Sequence, residues 1–197
     1  MPRYKITVEY DGTPFCGWQR QKDGVSVQEV LEKALAVFAR ENVEIYGSGR
    51  TDTGVHAFGQ VAHFDLSCPI DTFAAQASFN ALVRPYPVSV QSVEQVSDDF
   101  HARFSARQRS YIYKVLNRRA PAALDANRVW QIGLPLDVPA MQHCALHLLG
   151  KHDFSTFRAA DCQAKSPVKT LDELTITRRG DYRSEERRVG KECRSRW

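Results

Sequence analysis

Tyr4, Ile6, Val8 and Tyr10 alternate with Lys5, Thr7 and Glu9, the period-two signature of a strand with one face buried. Asp11-Gly12-Thr13-Pro14 follows with turn chemistry. The period then changes. Ser26 and Glu29 have capping-box spacing, and Val27, Val30, Leu31, Ala34, Leu35 and Phe38 share one face of a helix expected to reach about Arg40. Val43 to Tyr46 reads as a strand, Gly47 to Gly59 as a long glycine-bearing loop, and Gln60 to Asp65 as the strand returning from it. Asp71 is placed to cap a second helix through about Leu82, and Val88 to Val93 reads as the next strand. The resulting β-α-β-β-α-β order predicts a ferredoxin-like α+β unit.

Phe100 to Phe104 forms a basic-aromatic junction, after which Ser110 to Leu116 alternates again with Tyr111, Tyr113 and Val115 on one face. Asp137 precedes a helix whose apolar positions are Val138, Met141, Ala145, Leu148 and Leu149, with Gly150 as its expected C-cap. Leu171 to Thr177 reads as a further strand. One helix and two strands leave faces uncovered, so this second unit reads as incomplete. From Arg183 to Trp197 the string RSEERRVGKECRSRW has neither helical nor strand periodicity. It resembles the translation of a sequencing-adapter oligonucleotide, and the expectation is a frame that leaves the gene after Tyr182. The organisation expected is 1–105 as the first unit, carrying the long loop, 106–182 as an incomplete second unit, and 183–197 as a non-native tail.

Composition narrows the class. In 197 residues the hydrophobic share is 43% and the charged share 25%, ordinary for a globular chain, with no apolar run long enough for a membrane span. Met1-Pro2-Arg3-Tyr4 leads straight into the first strand, so no export signal is read and the expected location is cytoplasmic. Five cysteines, at 16, 68, 144, 162 and 193, contain no C-x-x-C pair, which argues against a disulfide framework or structural zinc. The formal charge of +4 falls to about +1 without the six Lys/Arg and three Asp/Glu of the tail. Bulk charge is therefore weak evidence for a nucleic-acid partner.

The densest candidate site is Gly47-Ser48-Gly49-Arg50-Thr51-Asp52-Thr53-Gly54-Val55-His56-Ala57. Its glycines permit close backbone approach, and Arg50 is placed to hold Asp52 ionised as a nucleophile or base. The same string also suits an Asx-turn aspartate with a surface ion pair. Basic residues interleave with aromatics at His101, Arg103, Arg107, Arg109 and Lys114, a pattern suited to tracking phosphates and equally to a solvated strand face. His143 and His147 stand at i, i+4, but Cys144 occupies the position where a metalloprotease carries glutamate, so no metal site is assigned. His56 and His63 read as hydrogen-bonded structural groups. Gly47-Ser48-Gly49 is too short for a phosphate loop and no lysine follows it.

The stretch Gly49 to Ala57 resembles the G-R-T-D-x-G-V-H-A hallmark of the tRNA pseudouridine synthase A family. The likeness extends to Glu9-Tyr10-Asp11-Gly12, Gly17-Trp18-Gln19-Arg20-Gln21, Ser26-Val27-Gln28, Gly59-Gln60-Val61, Asp98 to Ala106, and Asp153 to Arg158. It spans Met1 to Tyr182. The resemblance implies a pseudouridine synthase fold, with two ferredoxin-like units forming a largely antiparallel sheet around a central RNA-binding cleft. It implies isomerisation of uridine to pseudouridine at positions 38 to 40 of the tRNA anticodon arm, by a homodimer without metal or organic cofactor. By the same resemblance Asp52 is the catalytic nucleophile, Arg50 its charge partner, and Tyr111 the tyrosine that contacts the flipped uridine. Phe100, His101, Ala102, Arg103 and Phe104, with Asp161, Cys162, Gln163, Ala164 and Lys165, match segments that contact tRNA. Asp161 departs from the family pattern by placing a negative charge near a phosphate-binding surface. Whether Asp52 attacks base or sugar, or removes a ribose proton, is open; each route needs it charged and close. The competing expectation is a non-catalytic RNA-binding fragment, because the family completes its catalytic sheet with a C-terminal segment this chain lacks.

Overall fold

The opening alternation forms strand β1, Arg3–Tyr10, with Tyr4, Ile6, Val8 and Tyr10 all turned into the core. The computed structural model describes residues 1–158 and 166–190, in two units: Met1–Ala106, and a second beginning at Arg107. In the first, β1 is followed by α1 (Val27–Ala39), β2 (Tyr46–Gly47), β3 (Ala57–Asp65), α2 (Thr72–Leu82) and β4 (Val88–Val96). The sheet order is β2-β3-β1-β4 with every neighbouring pair antiparallel, the arrangement expected of a ferredoxin-like unit.

Local chemistry starts and stops these elements. The Ser26 hydroxyl accepts the Glu29 N–H at 3.2 Å, and α1 ends at Arg40 with a left-handed φ of 57°. Asp71 accepts the Ala74 N–H at 2.7 Å and caps α2. Leu31 and Leu35 of α1 join Phe79 of α2 and the inward residues of β1, β3 and β4 in one core.

The strand expected over Val43 to Tyr46 shortens to Tyr46–Gly47. Two side chains of α1 take over the pairing of Ile45: Glu32 Oε1 accepts its N–H at 3.0 Å and Gln28 Nε2 donates to its carbonyl at 3.1 Å. A buried backbone satisfied by side chains needs no strand neighbour.

The second unit holds β5 (Gln108–Leu116), β6 (Trp130–Gln131), α3 (Val138–Leu146), β7 (Gly150–Asp153), β8 (Val168–Arg179) and β9 (Tyr182–Gly190). The sheet order is β6-β5-β9-β8-β7, antiparallel except for the β5–β6 pair. The molecule is thus α+β with two mostly antiparallel sheets and three α-helices among the described residues. Helix α3 starts as expected, with Asp137 accepting the Ala140 N–H at 3.0 Å, but stops at Leu146 rather than at Gly150. Leu148 and Leu149 leave the helix to pack against Leu171.

The string from Arg183, read as having no strand periodicity, belongs as far as Gly190 to β9, Tyr182–Gly190. A two-residue turn, Gly180-Asp181 with φ +59° at the glycine, reverses the chain so that Arg179 faces Tyr182. The strand then bonds to β8 on one side and β5 on the other. Backbone pairing on both edges decides its conformation where side-chain period is silent.

Candidate active site and RNA-contact segment

The loop carrying Asp52 leaves the edge of the first sheet at β2 and returns as β3. It lies against the turn that follows β1. Trp18 N–H donates to Thr51 O at 3.0 Å, Gly54 N–H to Phe15 O at 3.4 Å, and Thr53 Oγ1 to Cys16 O at 3.1 Å. Tyr10 Oη and Thr51 Oγ1 share a hydrogen bond of 2.8 Å. Gly12 N–H donates to His56 Nδ1 at 3.0 Å, and Asp11 Oδ1 lies 3.1 Å from the same nitrogen. At the loop's base, Ser48 N–H donates to Val61 O at 2.7 Å and Gln60 Nε2 to Gly49 O at 2.6 Å.

Two glycines make this contact possible. A Cβ on Gly12 would stand 2.1 Å from the Val55 carbonyl oxygen, and one on Gly17, whose φ is +115°, would stand 2.6 Å from that of Thr51. No other residue type lets the two backbones approach so closely.

Against this web Asp52 stands apart. Its backbone carbonyl accepts the Val55 N–H at 3.2 Å, while its side chain is exposed and takes no hydrogen bond or ion pair from the described residues. Both neighbours in sequence, Thr51 and Thr53, are tied down. The carboxylate is therefore held in place by its backbone and left free to meet a reactant, which is what pre-organised nucleophilic or base chemistry requires. Arg50, expected as its charge partner, is also exposed and forms no ion pair with Asp52 among the described residues. The loop's anchoring runs instead through Tyr10, whose hydroxyl is pushed up to about 12 by burial against an opposing contribution from Thr51.

The segment Phe100 to Phe104 is held just as firmly. The Arg3 guanidinium grips both oxygens of Asp65, at 2.7 and 2.8 Å, and donates through Nη1 to the carbonyls of Asp98 and Phe100 at 2.6 and 2.7 Å. This fork holds the Asp65 carboxyl below the usual carboxylate range. Ala102 is buried and its N–H donates to Nδ1 of the buried His63 at 3.3 Å. The His101 and Phe104 rings lie tilted at 37° with centroids 4.3 Å apart, and the Arg103 guanidinium lies 5.8 Å over the Phe104 ring. The segment docks through Ala102 and presents Phe104, 66% exposed, to solvent.

Tyr111 is half-buried on β5 of the second unit, where the pleat sets it on one face with Arg109 and Tyr113 and sets Lys114 on the other. Asp161, Cys162, Gln163, Ala164 and Lys165 lie outside the described residues. His143 and His147 stand edge to face, 5.4 Å apart, at the end of α3. Among the described residues no helix is long and apolar enough to cross a membrane.

The sequence reading overlooked Tyr10 as a support of the Asp52 loop. Its place on the buried face of β1 masks the hydroxyl, and only the adjoining Asp11-Gly12 turn hints that the strand end faces something. His56 and His63, read as hydrogen-bonded groups, are hydrogen-bonded in the structure, each as an acceptor of a backbone N–H.

The family model described as tRNA pseudouridine synthase matches residues 6–105 and 144–196. The chain belongs to the tRNA pseudouridine synthase family. Similar curated proteins include the tRNA pseudouridine synthase A of Afipia carboxidovorans, 56% identical over 181 residues, covering 92% of this chain and 74% of that protein. That of Nitrobacter winogradskyi is 54% identical over 92% of this chain and 71% of its own length. The Parvibaculum lavamentivorans protein is 51% identical over 92% and 74%. The family is one of isomerases that modify tRNA, and the chain is shorter than these relatives.

Proposed function

We propose that this chain isomerises uridine to pseudouridine at positions 38 to 40 of the tRNA anticodon arm, with Asp52 as the nucleophile. The observation that carries the reading is the free carboxylate of Asp52 on a loop anchored at Thr51, Thr53 and Gly54. The N1–C1′ bond of uridine breaks and C5 bonds to the same C1′. The C5 proton is lost and N1 gains one, so atoms balance and no oxidant or reductant is consumed. Asp52 supplies the negative charge that carries the intermediate between the two bonds. The target base must leave its stack before a side chain can reach it. Tyr111 is the ring on which it stacks, and Phe100 to Phe104 with Lys165 and its neighbours follow the tRNA backbone. Arg50, which forms no ion pair with Asp52 among the described residues of the free protein, serves as its charge partner when tRNA is bound. A homodimer in the cytoplasm is the assembly that fits this reading.

The test is a tritium-release or mass-shift assay on an unmodified tRNA transcript. Asp52→Asn should lower turnover by at least about a thousandfold while tRNA affinity stays within about threefold of wild type. Turnover retained by Asp52→Asn would end the nucleophile assignment. Binding without turnover in the unaltered chain would leave the family's RNA-binding role alone.

A further inference from the structure

His63 lies on the face of β3 opposite to Ala62 and Phe64, beneath the segment that leaves β4. It is 2% exposed, an unusual place for an imidazole not committed to the Asp52 loop. Its ring stands edge-on to Phe100 at 6.1 Å and makes further contacts. Nδ1 accepts the Ala102 N–H at 3.3 Å, one face stacks on Tyr46 at 5.3 Å and 28°, and the His101 ring lies 4.5 Å away. Tyr46 begins the strand from which the Asp52 loop departs, and Ala102 is the buried middle of Phe100 to Phe104. One imidazole thus joins the root of the reactive loop to the segment read as contacting RNA.

We propose that His63 is a positioning residue for tRNA binding, holding Phe100 to Phe104 through the Ala102 N–H only while Nδ1 is unprotonated, so that affinity for tRNA falls on mild acidification. A protonated imidazole has no acceptor, so a proton on Nδ1 turns the bond to Ala102 into a meeting of two donors. The charged groups around the ring set the direction. Burial, His101 and Arg3 disfavour the protonated ring, while Asp65 and the Tyr46 carbonyl favour it, and the balance lies below the ordinary histidine value. Across β1, Lys5 is register partner to His63 and is neutralised by Glu94 at 2.8 Å. His101 is pushed down as well, by burial first, then by Arg3 and Arg103, and its Nδ1 accepts the Arg103 N–H at 3.2 Å. For a group so depressed the contact is fully present above about pH 6.5 and is lost as pH falls through the lowered value.

The inference rests on the reading that Phe100 to Phe104 touches tRNA, and the experiment separates the two. Affinity for an unmodified tRNA transcript is measured at constant ionic strength from pH 7.5 to 5.5 for wild type, His63→Asn, His101→Asn and His63→Leu. Wild type should weaken progressively as pH falls below about 6.5, by up to about tenfold, the worth of one hydrogen bond. His63→Asn keeps an acceptor that does not titrate. It should bind within about threefold of wild type at pH 7.5 and vary little with pH, while His63→Leu is about tenfold weaker throughout. His101→Asn should keep most of the wild-type slope. Amide exchange at Ala102 reads the same contact without RNA, with protection lost on acidification in wild type and kept in His63→Asn. A wild-type slope that survives in His63→Asn overturns the proposal, as does a flat wild type when Arg103→Ala and Phe104→Ala still weaken binding. If Ala102 protection follows pH while neither Arg103→Ala nor Phe104→Ala affects tRNA, the RNA-contact reading fails instead.

Discussion

The two units are built from the same kinds of element but bury them to different depths. In the first, both helices cover a four-stranded sheet, and the core runs without interruption from Tyr4 to Val93. In the second, one α-helix among the described residues serves a five-stranded sheet, and the packed cluster centres on Leu171 with Leu148, Leu149, Phe154 and Leu174. Trp130, Leu134, Leu146 and Phe157 stay largely exposed. A sheet needs a layer on each apolar face, and in the first unit α1 and α2 supply it over an unbroken core. The rigid support of Asp52 and of Phe100 to Phe104 belongs wholly to the well-packed unit.

The sharpest test of that contrast is a pair of truncations. Phe79, fully buried and edge-on to Phe38 at 5.0 Å, should cost about 3–5 kcal/mol as Phe79→Ala. Phe157→Ala should change stability by no more than about 0.5 kcal/mol. Equal losses in chemical denaturation would erase the difference between the units. Within the first unit, Gly12→Ala asks whether the Asp52 loop is held by backbone contact. A methyl 2.1 Å from the Val55 oxygen must push turn and loop apart, and turnover should fall about a hundredfold with affinity for tRNA little changed. Wild-type turnover in Gly12→Ala would show the close approach to be dispensable. Tyr10→Phe removes a single hydrogen bond to Thr51 and should lower kcat by about tenfold with KM unchanged.

The same contrast explains which elements were legible. The first unit alternates because its sheet has one face on the core, so β1, both helices and their caps could be read from spacing. Residues 43–45 failed because Gln28 and Glu32, polar residues on an otherwise apolar helix face, satisfy Ile45 from a distance no local pattern records. In the second unit β9 carries Arg183, Glu186 and Arg188 between two other strands. Arg188 finds Glu173 at 3.0 Å. Arg183 is buried, donates to the carbonyls of Gly180 and Tyr182 and to Asn117 Oδ1, and leaves Nε without a partner. A buried cation held this way is weak evidence for stability. Arg183→Met should be neutral or stabilising by up to about 1 kcal/mol, and a loss above about 2 kcal/mol would show the guanidinium to be a strut of the sheet.

The smallest effect expected is electrostatic. Arg3 depresses the Asp65 carboxyl, so their pairing supports the fold above the ordinary carboxylate range and is lost as pH falls through the lowered value. Arg3→Gln should flatten the dependence of thermal midpoint on pH between about 5 and 3. An unchanged slope would assign acid sensitivity of the first unit to other groups.

Sequence by itself determined the α+β class, the order of the first unit and the loop that carries Asp52, because alternation, capping and glycine-bearing turns are local consequences of how a chain buries one face. It also marked His56 and His63 as hydrogen-bonded groups. Tertiary structure alone decided that Asp52 stands free of Arg50, that Tyr10 and Gly12 anchor its loop, and that His63 reaches Ala102 across 39 positions of chain. Those are contacts between segments remote in sequence, and their energies depend on distances that no residue pattern encodes.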